Sequence, residues 1–236
     1  MIGSFTKSYL VSAIRDLALT PSTAWVTLIT NTQYLPGLLV LEYYLRRVRS
    51  RYPLVALFTD SFPEEGHYAL NRRGIPAQRS KLSVFSLTQY DRLILLDADM
   101  LVVKNMDELM DLDLGTRFVF AASHACLCNP LKKLHYPLDL VPETARIRSS
   151  ILTARRRKYV ASLPQALGEE GRTSSYDFSD QVLLGDAFAG RWMALPYVYN
   201  GLKTLRWPGV HDAIWLDDRV KNLHYGLTPK PWQVNR

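Results

Sequence analysis

Asp97 and Asp99 are separated by one small residue and directly follow an unbroken apolar run, Leu93-Ile94-Leu95-Leu96. A second apolar run, Met100 to Val103, follows them. Apolar residues without alternation are the pattern of a strand buried on both faces of a sheet. Two carboxylates at the carboxyl end of a central strand project into the crevice where open α/β sheets bind ligands. Paired hard oxygen ligands in that place suit Mg²⁺ or Mn²⁺, and such an ion suits a diphosphate. Spacing by itself decides nothing, because Asp111-Leu112-Asp113 repeats it. That second pair sits in a polar stretch, terminates no apolar strand and is assigned no role.

A strand-end pair needs a sheet around it, and the preceding residues supply the pattern. Residues 24–30 are β-rich and form the expected first strand. Residues 31–33 read as a loop, and Pro36 suits the first turn of a helix. Leu38, Leu41, Leu45 and Val48 then recur on one helical face. Arg46, Arg47, Arg49 and Arg51 close that helix and complement its dipole. Residues 54–58 read as a second buried strand and 63–73 as a helix stopped by Gly74 and Pro76. A further helix is expected over 82–90, leading into the strand with the aspartates. Alternation of this kind predicts an α/β fold with a mostly parallel sheet and its ligand at the strand C-termini. Beyond Asn105 a short helix is expected at 107–110, a strand at 118–122 and loop over 128–142. Helices at 151–167 and 178–188 and a strand at 192–199 complete the reading. No repeat, low-complexity segment or linker appears. One domain over 24–236, after an N-terminal extension 1–23, is the expectation.

The chain has 236 residues, 47% hydrophobic and 22% charged, enough for one sizeable core. Its net charge of +7 is compatible with nucleic acid, an anionic membrane surface or phosphate-bearing ligands. The basic clusters, including Arg155-Arg156-Arg157-Lys158, read first as solvated helix faces, and no nucleic-acid motif accompanies them. Cys126 and Cys128 are too close for an ordinary disulfide. As metal ligands they would need partners such as His124 and His135. No run approaches the roughly 18–20 apolar residues of a membrane span. The first twenty residues lack the apolar core of a signal peptide, so a cytoplasmic placement is expected.

Four ordered blocks resemble the family 8 glycosyltransferases, the glycogenin-like group, in a version most similar to its fungal members. Trp25-Val26-Thr27-Leu28-Ile29-Thr30-Asn31 with Tyr34 resembles the amino terminus of that family. The run from Lys81 through Tyr90 to Asp97-Ala98-Asp99 is close to its central signature. Phe178-Ser179-Asp180-Gln181 resembles its Asp-Gln motif, and His224-Tyr225-Gly226-Leu227-Thr228-Pro229-Lys230-Pro231-Trp232 its closing motif. Together they span most of the chain from Ala24 to Trp232.

The resemblance implies a GT-A fold, a UDP-sugar donor, Mn²⁺ or another divalent cation, and hexosyl transfer with retention of configuration. It implies Asp97, Asp99 and His224 as metal ligands, and the imidazole nitrogen agrees better with Mn²⁺ than with Mg²⁺. Lys230 and the Gly226 backbone would cradle the diphosphate, the lysine as a point charge. Leu28, Thr30, Asn31, Tyr34, Lys81 and Ala98 match donor-contacting positions, with the Tyr34 ring offering a face to the base. For Leu28, plain strand core is an equal reading. Asp180, Gln181 and Asp177 fall in the catalytic region on the far side of the sugar, although Asp177 and Asp180 also suit a helix N-terminus. The acceptor is left open among carbohydrate, lipid and protein, and a homodimer is a candidate assembly. Nucleic acid is not an expected partner.

Two departures from the pattern stand out. The segment before Lys81 is short, running Gly74 to Ser80 directly into the lysine. A strand with an Asn-(Ser/Gly)-Gly turn, usual between the metal and Asp-Gln motifs, has no counterpart between Phe120 and Asp180. Its absence predicts exposed strand edges and depleted sugar contacts. A catalytically impaired, nucleotide-binding relative or a shortened isoform is therefore the alternative reading. A basic binding domain without sugar chemistry comes third.

Overall fold

The structure is a computed structural model that describes residues 22–79, 87, 89–125, 148–150, 188–226 and 228–233. The expected helices at 151–167 and 178–188, the 128–142 loop, Lys81, Cys126, Cys128, His135, Asp177, Asp180 and Gln181 lie outside these residues, apart from Phe188.

Strand β1 (Thr23–Ile29) is central to a four-stranded, wholly parallel sheet with β2 (Leu54–Phe58), β3 (Ala77–Arg79) and β4 (Arg92–Leu95). The order is β3-β2-β1-β4, so β4 stands at the end of the described sheet and not at its centre. Ala24, Trp25 and Val26 in β1 and Leu93 and Ile94 in β4 are fully buried, as apolar runs of parallel strands should be. β3 is a strand that the sequence reading did not anticipate. The expected helix at 82–90 is corrected at its three described residues: Leu87, Gln89 and Tyr90 are not helical. Tyr90 instead closes a turn, its N–H donating to the Leu87 carbonyl at 3.3 Å.

Helix α1 (Leu35–Arg47) packs Leu38, Leu41 and Leu45 inward, with Pro36 in its first turn. Helix α2 (Glu64–Arg72) begins after Pro63, and Glu64 and Glu65 favour its positive N-terminus. Both helices end with the same pair of backbone bonds. In α2 these are Gly74 N–H to Asn71 O at 2.9 Å and Ile75 N–H to Leu70 O at 3.1 Å, with Gly74 at φ +64°. In α1 the equivalent left-handed position is Arg49, φ +57°, held by Arg49 N–H to Arg46 O at 2.9 Å and Ser50 N–H to Leu45 O at 3.0 Å. The arginines there are partly engaged: Arg46 pairs with Glu42, Arg47 lies over Tyr44, and Arg51 reaches Asp107.

β5 (Met100–Val102), β10 (Asn222–His224) and β9 (Gly201–Leu202) form a second sheet, with β10 in its middle. A third joins β7 (Arg148–Ser150), β6 (Phe120–Ala125) and β8 (Trp192–Leu195). β6 starts two residues later than expected and runs further. β8 ends at Leu195 because Pro196 follows, and residues 197–199 form a 3₁₀ turn in place of strand. β7 pairs antiparallel with β6 across Ser123, His124 and Ala125. That pairing covers one side of β6, with β8 on the other.

Buried Asp107 ties the two regions together. Its carboxylate accepts from Ser50 Oγ at 2.7 Å and from the Arg51 N–H at 2.9 Å. Ser50 Oγ in turn accepts from Trp25 Nε1 at 2.8 Å. The expected 107–110 helix is a 3₁₀ turn, Asp107–Asp111. Asp111 faces Arg51, and Asp113 Oδ1 accepts from the Gly115 N–H, so the second Asp-x-Asp pair serves structure. No helix among the described residues is long and apolar enough to cross a membrane.

Candidate divalent-metal and diphosphate site

After β4 the chain makes a tight turn, with the Met100 N–H donating to the Asp97 carbonyl at 3.0 Å. That turn carries Asp97, Ala98 and Asp99 between β4 and β5. β10 pairs antiparallel with β5 in a register that sets His224 opposite Met100. The residue after Asp99 is thus the partner of His224, and the Tyr225 N–H donates to Asp99 O at 3.1 Å. The sheet register, more than any local feature, brings His224 to the aspartates.

His224 Nε2 lies 3.3 Å from Asp99 Oδ1 and 3.4 Å from Asp97 Oδ2. Ligand atoms of the three residues all fall within 4.8 Å of one another. Asp99 and His224 are buried, whereas the Asp97 side chain is 48% exposed and opens the group to solvent. Two hard oxygens and one imidazole nitrogen form a donor set that fits Mn²⁺. Lys230, only 4% exposed, pairs with Asp99 Oδ2 and donates to the Tyr225 carbonyl at 2.9 Å. Both oxygens of Asp99 are therefore engaged.

Burial by itself would raise the Asp99 pKa, but the hydrogen bond and charge of His224, with those of Lys230, outweigh it and hold the group at about 2. Burial likewise works against a charged His224, yet Asp99 and Asp97 together push its pKa up. The two groups have opposite linkage. Asp99 contributes stability that is present above its ordinary 3.8 and is lost as pH falls from there through about 2. Metal-free protein is expected to lose about 2 kcal/mol across that window from this group alone. Urea midpoints measured on both sides of the window check it. His224 contributes below its ordinary value, and that contribution fades as pH rises through its elevated pKa. A cation held at Nε2 would compete with that proton, so Mn²⁺ affinity would climb through the same range.

Of the positions expected to contact a donor, Leu28, Thr30, Asn31 and Tyr34 lie at and just after the C-terminal end of β1. Leu28 is 48% exposed at the C-terminal end of β1, so it is not core. Asn31 Oδ1 caps the following turn by accepting the Gln33 N–H at 3.0 Å, and Asn31 Nδ2 donates to Thr30 Oγ1 at 3.4 Å. Tyr34 lies next, with Lys230 Nζ 5.8 Å from its ring centre and the Trp232 ring edge-on at 6.1 Å. Trp232 Nε1 donates to Gln33 O at 3.1 Å, closing the C-terminal segment over the N-terminus of α1. Gly37 makes this approach feasible. A Cβ there would lie 2.5 Å from the Trp232 ring and closer still to the Ala98 carbonyl oxygen. Gly226 is exposed beside His224, its added Cβ meeting Nε2 at 3.5 Å. The structure thus brings together Tyr34, Asp97, Ala98, Asp99, His224, Gly226 and Lys230.

One neighbour escaped the sequence reading. Asn200 Oδ1 lies 2.9 Å from His224 Nδ1, on the side of the ring away from the carboxylates. In the sequence, Asn200-Gly201 reads as an ordinary turn pair.

No family model matches the chain. It is 28% identical over 249 residues to an uncharacterized protein of Acanthamoeba polyphaga mimivirus, covering 89% of this chain and 83% of that one. It is 25% identical over 246 residues to galactinol synthase 1 of Solanum lycopersicum, covering 90% and 74%. Among solved structures it resembles the glycosyltransferase GlyE of Streptococcus pneumoniae, with TM-score 0.63 and 20% identity. That match covers 90% of this chain and only 56% of GlyE. The galactosyltransferase LgtC, solved with donor and acceptor sugar analogues, matches with TM-score 0.61 and 18% identity over 89% of both chains.

Proposed function

For a family 8-like glycosyltransferase with the GT-A fold, which this chain is, we propose transfer of a hexose from a UDP-sugar to a carbohydrate, lipid or protein acceptor, with a divalent cation and with retention. The observation that carries the reading is the convergence of Asp97, Asp99 and His224, with buried Lys230 on the same aspartate. Asp97, Asp99 and His224 Nε2 would hold the cation, with Mn²⁺ favoured by the nitrogen. A bound Mn²⁺ supplies positive charge against the negative charge gathering on departing UDP.

The protein's own groups do the rest of the donor work. Lys230 carries its ammonium to the diphosphate, and the Gly226 backbone lets the phosphates approach closely. Tyr34 offers its ring to the base, beside Leu28, Thr30 and Asn31. Lys81, Asp177, Asp180 and Gln181 keep the roles their motifs imply, at the donor and on the far face of the sugar. Because two motif segments of the sugar and acceptor side lack counterparts, positioning of the reacting carbon should be loose, which costs about 100-fold. The expected result is Mn²⁺-dependent UDP binding with slow sugar transfer. A panel of UDP-hexoses, with Mn²⁺ and with chelator, tests the reading. The absence of any metal-dependent UDP binding or sugar release would refute it.

Lys230→Ala is expected to weaken UDP binding about tenfold or more while sparing uridine, since a charge-assisted phosphate contact is worth roughly 1.5–3 kcal/mol. Calorimetry with both ligands separates a phosphate contact from a disturbed fold, which would weaken both equally.

A further inference from the structure

Asn200 is 1% exposed, and its Nδ2 has no hydrogen-bond partner among the described residues. A buried N–H without a partner is a cost to folding. The cost is borne at the residue whose Oδ1 meets His224 Nδ1 at 2.9 Å. Two hydrogen bonds and one ladder pair fix where that oxygen sits. The Lys221 N–H donates to Val198 O at 2.8 Å. Asn222 Nδ2 donates to Tyr199 O at 3.0 Å, immediately before Asn200. Gly201, immediately after it, pairs with Leu223 in the parallel β9–β10 ladder. Asn200 is thus clamped on both sides by the strand that carries His224.

We infer that Asn200 is a positioning residue: its carbonyl oxygen accepts the Nδ1–H of His224 and keeps Nε2 aimed at Asp97 and Asp99. The inference deepens the proposed metal site and rests on that reading. Nδ1–H is present both in the doubly protonated ring and in a ring that ligates through Nε2. In either form of the ring Asn200 Oδ1 has an Nδ1–H to accept, at the same 2.9 Å position. The ring need not rotate, and the bond to Nδ1–H increases the basicity of Nε2. An apolar side chain would offer neither the bond nor the orientation.

The test uses the whole chain and Mn²⁺ alone. Asn200→Leu is expected to lower Mn²⁺ affinity about 10–100-fold, in line with partners of ligating histidines elsewhere. Asn200→Asp, which keeps an acceptor, should restore it. In a His224→Ala background, Asn200→Leu should have no further effect, because the asparagine acts only through the ring. Unchanged affinity in Asn200→Leu, or an additive double variant, would overturn the inference. A second readout needs no metal: proton NMR should find a protected imidazole Nδ1–H in wild type and lose it in Asn200→Leu and in His224→Ala. A wild-type protein without that resonance would also overturn it. The resonance together with no Mn²⁺ affinity would refute the metal reading alone and uphold the hold of Asn200 on His224.

Discussion

Asp99→Asn is expected to abolish Mn²⁺-dependent UDP binding and to destabilise the fold by ~3 kcal/mol at neutral pH. Asp99 commits Oδ1 to His224 and Oδ2 to Lys230, and both partners are buried. An amide removes the anionic ligand and leaves the Lys230 ammonium without a counter-charge. Lys230 keeps its bond to the Tyr225 carbonyl, but any oxygen it meets at position 99 is then neutral. Removing one member of a buried pair costs more than removing both. The double variant Asp99→Asn with Lys230→Met should therefore recover much of the stability and none of the binding. Calorimetry with and without Mn²⁺, alongside urea unfolding, measures both effects. UDP affinity that responds to Mn²⁺ as in wild type would sink the assignment.

Gly37→Ala should destabilise by about 3 kcal/mol and weaken donor binding. In most helices this substitution stabilises, by about 0.5–1 kcal/mol, because alanine loses less backbone freedom. Here the added methyl would overlap a backbone atom, the Ala98 carbonyl oxygen, as well as the Trp232 ring. A flexible side chain could move aside, but the Ala98 carbonyl belongs to the turn between the two aspartates. Relief would shift that turn or expel Trp232 from its bond to Gln33, and either disturbs the site. Thermal unfolding decides the sign, and an alanine variant as stable as wild type would show the contact to be soft.

Much of this site was legible before any fold was known. Asp97 and Asp99 announce themselves because an apolar strand stops on them, and His224 and Lys230 because they belong to an ordered motif. Asn200 was not legible: next to Gly201 it has the signature of a surface turn, and only burial distinguishes it. Gly37 was equally silent, since the reason for a missing Cβ lies in Ala98 and Trp232, far along the chain. Only exposure takes Leu28 out of the core, because a buried and an exposed strand-end leucine have the same sequence pattern. Among the elements, β1, α1, β2, α2 and β4 follow from local periodicity. β3 did not, because Ala77-Gln78-Arg79 is a strand only through its pairing with β2. β8 was read too long because 192–199 looked uniformly β-rich, and Pro196 ended it.

The pairing of β5 with β10 also sets a timetable for the molecule. Met100 and Asn222, which touch across that ladder, are 122 positions apart. Contacts of such separation form after local ones, since the intervening chain must first be closed into a loop. A nascent chain that has emerged only as far as Val220 already carries β1 to β4, both helices and both aspartates. It lacks His224, Lys230 and Trp232, so the imidazole and the ammonium that meet Asp99 are still missing. The group of Asp97, Asp99 and His224 is therefore complete only once β10 has paired with β5.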